Sequence, residues 1–368
     1  MQEMNYAVIG AGNGGKLLAT LIASKGHPVA LTDKNPAVIA EIDSWDRTIE
    51  VVGRITCRAT IPVVTTDLLT AVEDADVVLV ATTADCHDDL AYDLAPMVHN
   101  GQIFILNPGQ TGGLLAFYNA LRDRSGKRIV VGTVQDLIYG CRVKEPGVVN
   151  CSAAKKVMDF IACPVPETPR LMELLKDIFP QLRHAKNILA IDFDNMSAMI
   201  HPAPTLLNAG RTECGESYTY YAEGITPSVA RLLEAMDAER IAVGSAYGVE
   251  VTSLAQWQKT AYDVEGEDLY HVFQNNPYYR PVKSDLTIDN RYVTEDVPCG
   301  LVPLCEYGRA AGVPTPAMDA VISLACAMLG RDFRATGRTL AKLGLEGLSV
   351  DAICEKLNTF GESQTDGS

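Results

Sequence analysis

A glycine-rich turn near the start of the chain, GAGNGG at residues 10–15, restricts the fold more than any other stretch. It follows the apolar run 6–9 and leads directly into a helical pattern, so a strand, a tight turn and a helix are predicted in succession. Gly10 permits the turn, Gly12 lets a pyrophosphate approach the backbone, and Gly15 lets the helix pack closely on the strand. The phosphates of a dinucleotide are expected at the N-terminus of that helix, among unpaired N–H groups.

A second strand that ends in an acidic residue is predicted soon after the turn. Gly26 ends the first helix, and the apolar run 29–31 then leads to Asp33. An acid about 20 residues beyond such a turn is expected to bind the ribose hydroxyls of the adenosine half. Its charge would repel a 2′-phosphate, so NAD is the expected cofactor, with NADP as the alternative because Lys34 lies next to Asp33.

Apolar runs alternate with helical patterns up to about residue 185, which is typical of a parallel sheet covered on both faces. Further strands are predicted at residues 55–64, 76–82, 102–106, 128–134, 137–143, 147–153 and 156–161, and helices at 67–74, 88–97, 113–121 and 169–178. The later patterns are mostly helical, at residues 254–261, 298–311, 316–329 and 350–357. A long helix is also expected to begin at Thr226-Pro227, an N-cap followed by proline, and to end near Gly248.

The 368 residues suit two domains of an α/β protein. We predict an N-terminal Rossmann dinucleotide-binding domain with a parallel sheet at residues 1–185, and an all-α C-terminal substrate domain at residues 186–360. The small polar residues 361–368 are predicted to be a disordered tail. No apolar run reaches the roughly 18 residues of a membrane span, and the first strand leaves no room for a signal peptide, so a cytoplasmic protein is expected.

The charge of the chain restricts its partners. A net charge of -15 and a pI near 4.8 argue against nucleic acid and anionic membranes, both of which demand a basic face. Small polar ligands remain, and we also expect a homodimer. The ten cysteines form no C-x-x-C pair and no Cys/His cluster at zinc spacing, so buried free thiols and no metal site are expected.

Two strand ends offer further cofactor contacts. The strand 76–82 ends at Thr82, and the strand 102–106 ends at Asn107, which opens the loop NPGQTGG. Ligands of open α/β sheets bind outside the carboxyl ends of the strands, although a loop so rich in Gly and Pro could also be a simple turn. The predicted cofactor-binding residues are Gly10, Gly12, Asn13, Gly14, Gly15, Asp33, Thr82 and Asn107.

Two segments of the helical half carry groups suited to catalysis. His201 precedes Pro202, which disfavours helix at the histidine, and the run 290–298 places Arg291 and Asp296 just before another helix. An isolated histidine is commonly a structural hydrogen-bonding residue, and such a charged run is commonly a solvated turn. Composition alone therefore leaves structural and catalytic roles open for both segments.

Several motifs together resemble one known family. They are YAVIGAGNGG, NPGQTGG, HPAPTLLNAGR, YYAEGITPSV, DAERIAV, RYVTEDVPCGLVPL and GVPTPAMD. This set resembles the octopine/nopaline (opine) dehydrogenase family and is most similar to the bacterial N-(1-carboxyethyl)-norvaline-type enzymes. The resemblance runs from about residue 4 to residue 357, and the motifs of the helical half are far more specific than the glycine turn.

The resemblance implies NAD(P)H-dependent reductive condensation of an α-keto acid, such as pyruvate, with the amino group of an amino acid. It assigns catalysis to His201 with its paired Asp296, and binding of a substrate carboxylate to Arg291. A histidine can give and take a proton near neutral pH, a carboxylate can fix its tautomer, and a guanidinium matches a carboxylate bidentately. Thr205 and Asn208, one and two helical turns further on, are also expected near the substrate, although capping and packing explain them equally well.

Two other functions remain open for this sequence. A 2-hydroxyacid or 2-keto acid reductase could share the same two-domain plan, and it would oxidise NADH with the keto acid alone. A non-catalytic NAD-binding sensor would need the glycine turn but no acid/base pair. The presence of a histidine, an acid and an arginine in the helical half speaks against the sensor.

Overall fold

The computed structural model describes residues 4–360, and the predicted tail at 361–368 lies outside them. The chain forms two compact units. Among the described residues, the first unit holds 4–109, 113–186 and 359–360, and the second holds 110–112 and 187–358. No helix in the described part of the chain has the length and apolar character needed to cross a membrane.

The first unit contains the strands. In chain order they are β1 (Tyr6–Ile9), β2 (Val29–Thr32), β3 (Thr48–Gly53), β4 (Cys57–Thr60), β5 (Val63–Thr65), β6 (Val77–Val80), β7 (Ile103–Leu106), β8 (Val130–Val134), β9 (Tyr139–Glu145), β10 (Val148–Ala154), β11 (Met158–Cys163) and β12 (Leu182–His184). Its helices are α1 (Asn13–Ser24), α2 (Pro36–Asp43), α3 (Leu68–Val72), α4 (His87–Leu94), α5 (Gly113–Ser125) and α6 (Thr168–Leu175).

Eight of these strands form one sheet in the order β12-β11-β8-β7-β6-β1-β2-β5. The six strands from β8 to β5 are parallel, and β1, β2, β6, β7 and β8 are buried along their whole length because helices cover both faces. The predicted Rossmann sheet is therefore confirmed. β11 departs from it by pairing antiparallel with β8, since strands β9 and β10 rather than a crossover helix connect the two.

A second, four-stranded sheet has the order β4-β3-β10-β9. The single strand predicted at residues 55–64 was wrong: β4 lies in this small sheet and β5 lies in the large one. Pro62 separates them, and it has no N–H to donate to a continuous ladder. The sequence analysis also missed β3, whose residues alternate only partly between buried and exposed.

The second unit is helical. Its helices are α7 (Ile188–Phe193), α8 (Met196–Ile200), α9 (Pro202–Leu207), α10 (Ala209–Glu213), α11 (Pro227–Ala246), α12 (Leu254–Tyr262), α13 (Leu269–Asn275), α14 (Arg291–Thr294), α15 (Val302–Ala310), α16 (Pro316–Leu329), α17 (Phe333–Thr336) and α18 (Val350–Asn358). One isolated antiparallel bridge joins Thr219 and Lys283. The predicted all-α character of this half is confirmed.

Two helix starts show how the sequence sets local structure. The Thr226 hydroxyl accepts a hydrogen bond from the Val229 N–H, so the predicted cap of α11 is confirmed. The helix predicted at 298–311 instead begins with a π-helical turn, Val297–Leu301, before α15. Pro303 explains the difference, because it lacks the N–H that would bond the carbonyl four residues earlier.

Candidate active site and cofactor site

The glycine turn between β1 and α1 is built as its sequence requires. Gly10 has a φ of +96°, and a Cβ there would lie 3.0 Å from the Ala81 carbonyl carbon and the Thr82 methyl. A Cβ on Gly15 would lie 1.7 Å from the Gly10 carbonyl oxygen, so only glycine fits at that position. Positions 12 and 14 face open space, with no atom within 4 Å of an added Cβ. The turn thus leaves room for a pyrophosphate at the N-terminus of α1.

Asp33 follows β2 and is fixed beside this turn. Its Oδ2 accepts a hydrogen bond from the Ala11 N–H at 2.8 Å, and its Oδ1 accepts one from the Asn35 N–H at 2.9 Å. A carboxylate offers about four acceptor positions, so two bonds to the backbone orient it and leave capacity for ribose hydroxyls. The predicted role of Asp33 is compatible with this geometry.

The other predicted cofactor residues differ in how their polar atoms are engaged. Asn13 Oδ1 accepts the Val143 N–H of β9 at 2.8 Å, and the buried Asn107 Oδ1 accepts the Ile138 N–H at 3.1 Å. Thr82 Oγ1 is buried and has no hydrogen-bond partner in the described residues. An unsatisfied buried hydroxyl at the end of β6 fits a site that a bound cofactor completes. The oxygens of the two asparagines, in contrast, hold the loops in place.

His201 lies between α8 and α9 in the second unit. Pro202 occupies the first turn of α9, so the chain breaks between the two helices at the histidine, as the sequence predicted. Asp296 immediately precedes the π-helical turn. The two side chains meet in the interior: His201 Nδ1 lies 2.6 Å from Asp296 Oδ2, with 6% of His201 and 0% of Asp296 exposed.

The environment of the ring fixes both of its nitrogens. The carboxylate of Asp296 accepts a hydrogen bond, so Nδ1 carries the proton in the neutral imidazole and Nε2 bears the lone pair. Nε2 lies 3.1 Å from the Tyr221 hydroxyl. The ring of Tyr292 stacks on the imidazole with a centroid distance of 3.9 Å and an angle of 14°. His201 is therefore held in one orientation by a carboxylate, a phenol and an aromatic face.

Thr205 and Asn208 bind backbone carbonyls around the histidine. The Thr205 hydroxyl donates to the His201 carbonyl at 2.9 Å, and the Asn208 amide donates to the carbonyls of Pro204 and Gly224 at 2.8 and 3.0 Å. Both side chains are buried. Their predicted contact with substrate stays a prediction, and these bonds favour a role in positioning His201.

Arg291 begins α14, and about half of its side chain is exposed. Its Nη1 lies 3.6 Å from Glu295 Oε2, and its guanidinium lies 5.2 Å from the centre of the Tyr292 ring. Burial by itself lowers the pKa of Arg291, but the negative charges of Glu295 and Asp296 raise it by more. The pKa of Arg291 therefore lies above its ordinary value. Arg291 is thus a fixed positive charge close to the His201–Asp296 pair.

Sequence reasoning missed four residues around this pair. They are Tyr221 on Nε2, Tyr292 on the ring face, Tyr220, whose hydroxyl donates to the His201 carbonyl at 2.6 Å, and Glu295, which accepts a hydrogen bond from Gln110 at 3.4 Å. All four lie in motifs that carry the family resemblance, Tyr220 and Tyr221 in YYAEGITPSV and Tyr292 and Glu295 in RYVTEDVPCGLVPL, and the first two also belong to the run YTYY at 218–221. It could not be interpreted, because aromatic clusters are common in ordinary cores.

Two family models match parts of the chain. Residues 184–329 match the family model of the alpha-helical domain of NAD/NADP octopine/nopaline dehydrogenase. Residues 5–111 match the model of the N-terminus of NAD-dependent glycerol-3-phosphate dehydrogenase.

Individual relatives cover most of the chain. An opine dehydrogenase of Arthrobacter sp. (strain 1C) is 40% identical over 353 residues, covering 96% of this chain and 98% of that protein. An octopine dehydrogenase of Mizuhopecten yessoensis is 28% identical, with 76% of each chain covered. A solved structure of octopine dehydrogenase with NADH and L-arginine has a TM-score of 0.77 at 25% identity, covering 96% of this chain and 98% of that one. The chain therefore belongs to the octopine/nopaline (opine) dehydrogenase family of NAD(P)-dependent oxidoreductases.

Proposed function

We propose that this protein condenses an α-keto acid, such as pyruvate, with the amino group of an amino acid and reduces the resulting imine to an N-(carboxyalkyl)amino acid. The observation that carries this proposal is the buried His201–Asp296 pair, with the cationic Arg291 beside it. A dinucleotide-binding protein without chemistry would have no need for such a pair.

The first unit is proposed to hold the cofactor, and NADH supplies the hydride when bound. Gly10, Gly12, Gly14 and Gly15 would leave space for the pyrophosphate. Asp33 would bind the adenosine ribose and favour NAD over NADP, and Thr82 would offer its unsatisfied hydroxyl. Asn13 and Asn107 would hold the surrounding loops through the backbone N–H groups that they bind.

The helical unit is proposed to handle protons and the substrate carboxylate. His201 would donate a proton to the condensing group, and Asp296 would stabilise the imidazolium and keep Nδ1 protonated. Arg291 would bind the carboxylate of the keto acid through its planar fork. Thr205 and Asn208 would fix the backbone on which His201 lies.

We also propose the finer features of the organisation. Residues 1–185 would form the cofactor domain and residues 186–360 the substrate and catalytic domain of a cytoplasmic homodimer that acts in amino acid metabolism. Support for the dimer comes from α16, where Ala320, Leu324, Ala327 and Met328 form an exposed apolar face. Such a continuous face fits a self-complementary contact between two copies.

NADH oxidation measured with pyruvate and each common amino acid, with the product mass determined, tests the reaction. An opine dehydrogenase needs both substrates and gives a product that contains both carbon skeletons. Oxidation of NADH by pyruvate alone would instead identify a keto-acid reductase. NADH binding without turnover across the panel would identify a sensor.

A further inference from the structure

We infer that Tyr220 is a positioning residue for His201: its buried hydroxyl holds the backbone carbonyl of the histidine and thereby sets the direction of the imidazole. This inference rests on the proposed role of His201 as the proton donor. It adds a residue that acts on proton transfer through the backbone of the histidine.

The first step of the argument is that the backbone of Tyr220 is fixed by another segment of the helical unit. The Tyr220 N–H donates to the Val282 carbonyl at 2.7 Å, and the Ser284 N–H donates to the Tyr218 carbonyl at 3.0 Å. The isolated antiparallel bridge described above lies between these two bonds. The side chain is also enclosed, since only 2% of Tyr220 is exposed. Tyr220 is therefore held at both its backbone and its ring.

The second step is the contact with the His201 carbonyl. The Tyr220 hydroxyl donates to this carbonyl at 2.6 Å and lies 2.8 Å from the Thr205 hydroxyl, which donates to the same carbonyl at 2.9 Å. The Thr205 N–H of α9 reaches it at 3.2 Å. A carbonyl oxygen has two lone pairs, so donors from α9 and from a separate segment can bind it together and fix its direction.

The third step connects the carbonyl to the imidazole. His201 is the junction between two helices: its N–H donates to the Ser197 carbonyl of α8 at 3.1 Å, and its own carbonyl begins the hydrogen bonding of α9. Its φ of −103° lies well away from the helical value of about −63°. Regular helix geometry therefore does not set this backbone, and the bonds to its carbonyl do. The direction of the Cα–Cβ bond, and with it the place of Nε2, follows from that backbone.

The ring of Tyr220 supports the same imidazole by a second route. It lies 5.0 Å from the ring of Tyr292, which stacks on His201, and 4.9 Å from the ring of Tyr221, whose hydroxyl lies beside Nε2. Phe at position 220 keeps these ring contacts and loses only the hydroxyl. Tyr220→Phe thus isolates the effect of the bond to the His201 carbonyl.

The test compares Tyr220→Phe with Tyr218→Phe. Tyr218 is a matched control, because it is 1% exposed and its hydroxyl lies 3.2 Å from the Thr212 hydroxyl on α10 rather than at the His201 carbonyl. We expect Tyr220→Phe to lower kcat about 10-fold with unchanged KM of pyruvate and Kd of NADH, because only the alignment of the proton donor is lost. Tyr218→Phe should keep the kcat of wild type.

A second comparison shows whether Tyr220 acts through His201. In the His201→Ala background, Tyr220→Phe should leave the residual kcat unchanged, because that background has no imidazole to align. A residue that only stabilises the fold would lower kcat by the same factor in both backgrounds.

Four outcomes would overturn the positioning role. They are equal effects of Tyr220→Phe in both backgrounds, wild-type kcat in Tyr220→Phe, an equal loss in Tyr218→Phe, and a Tyr220→Phe chain that does not fold, since the hydroxyl would then serve the fold itself. Full activity in His201→Ala would overturn the proposed function instead, so the two failures are distinguishable.

Discussion

At the scale of single residues, the pairing of His201 with Asp296 makes the sharpest prediction. His201→Ala should lower kcat by about 100-fold or more while leaving the Kd of NADH nearly unchanged, because the variant removes proton transfer and not the dinucleotide turn. Asp296→Asn should also lower kcat and shift its pH profile, since the imidazolium loses its charged partner. Steady-state kinetics and NADH titration check both. Weak NADH binding by His201→Ala would assign the histidine a structural role.

Asp33 makes a second prediction at this scale. Asp33→Ser should raise the KM of NADH and lower the KM of NADPH, because a charged acceptor beside the ribose is lost. The free-energy preference for NADH over NADPH should fall by about 1–3 kcal/mol. Asp33→Asn is the matched control, since its amide oxygen can still accept the Ala11 N–H, whereas the charge and the acceptor of the Asn35 N–H are lost. Kinetics with both cofactors decide the matter. A wild type that prefers NADPH would contradict the proposed place of Asp33.

At the scale of elements, the packing of α1 on β1 depends on one glycine. Gly15→Ala should lower the free energy of unfolding by about 1–3 kcal/mol, because its Cβ would lie 1.7 Å from the Gly10 carbonyl oxygen and force the turn to shift. Gly14→Ala is the control, since its Cβ meets no atom within 4 Å. Thermal unfolding of both variants tests this difference, and equal Tm values would refute it.

The segment 110–112 is attached to α7 through Asp192, which makes stability depend on pH. Burial raises the pKa of Asp192 to about 7. The hydrogen bonds from the Gly112 N–H and the Tyr307 hydroxyl and the charge of Arg338 lower this pKa, but by less than burial raises it. The folded protein therefore binds more protons than the unfolded chain between about pH 4 and 7, so this group lowers the free energy of unfolding as the pH rises through that range.

Asp192→Asn should remove that contribution, which is about 1.4 kcal/mol per pH unit within the range. An amide can still accept from the Gly112 N–H and can donate to the Tyr307 oxygen. Chemical unfolding of wild type and variant at pH 5, 6 and 7 measures the two slopes. Parallel slopes would show that Asp192 does not titrate in this range.

At the scale of the whole molecule, the exposed face of α16 predicts the assembly. If the proposed homodimer forms through this face, Leu324→Glu combined with Met328→Glu should convert it into a monomer, because charges would replace the exposed apolar side chains of the proposed contact. Leu286→Glu is the control, since Leu286 is 80% exposed and lies outside this face. Light scattering coupled to size-exclusion chromatography gives the mass of each variant. A dimeric double variant, or a monomeric wild type, would refute this interface.

The sequence by itself determined the features that depend on local chemistry. The glycines of the turn, the apolar strands, the proline after His201 and the Thr226 cap each act within a few residues, so their positions could be read directly. The family motifs pointed to His201, Asp296 and Arg291 as a group. The two asparagines show the limit of such predictions, because no local pattern indicated that Asn13 and Asn107 bind the N–H groups of residues 143 and 138.

Only the tertiary structure decided which distant groups meet. The sequence separation between His201 and Asp296 is 95 residues, and no local pattern sets the 2.6 Å distance between their side chains. Tyr221 and Tyr292 are ordinary aromatic residues in sequence, and they become part of the site only because tertiary packing brings the Tyr221 hydroxyl to Nε2 and the Tyr292 ring onto the face of the same imidazole. The split of residues 55–64 between two sheets has the same cause, since strand partners are chosen by long-range pairing rather than by propensity.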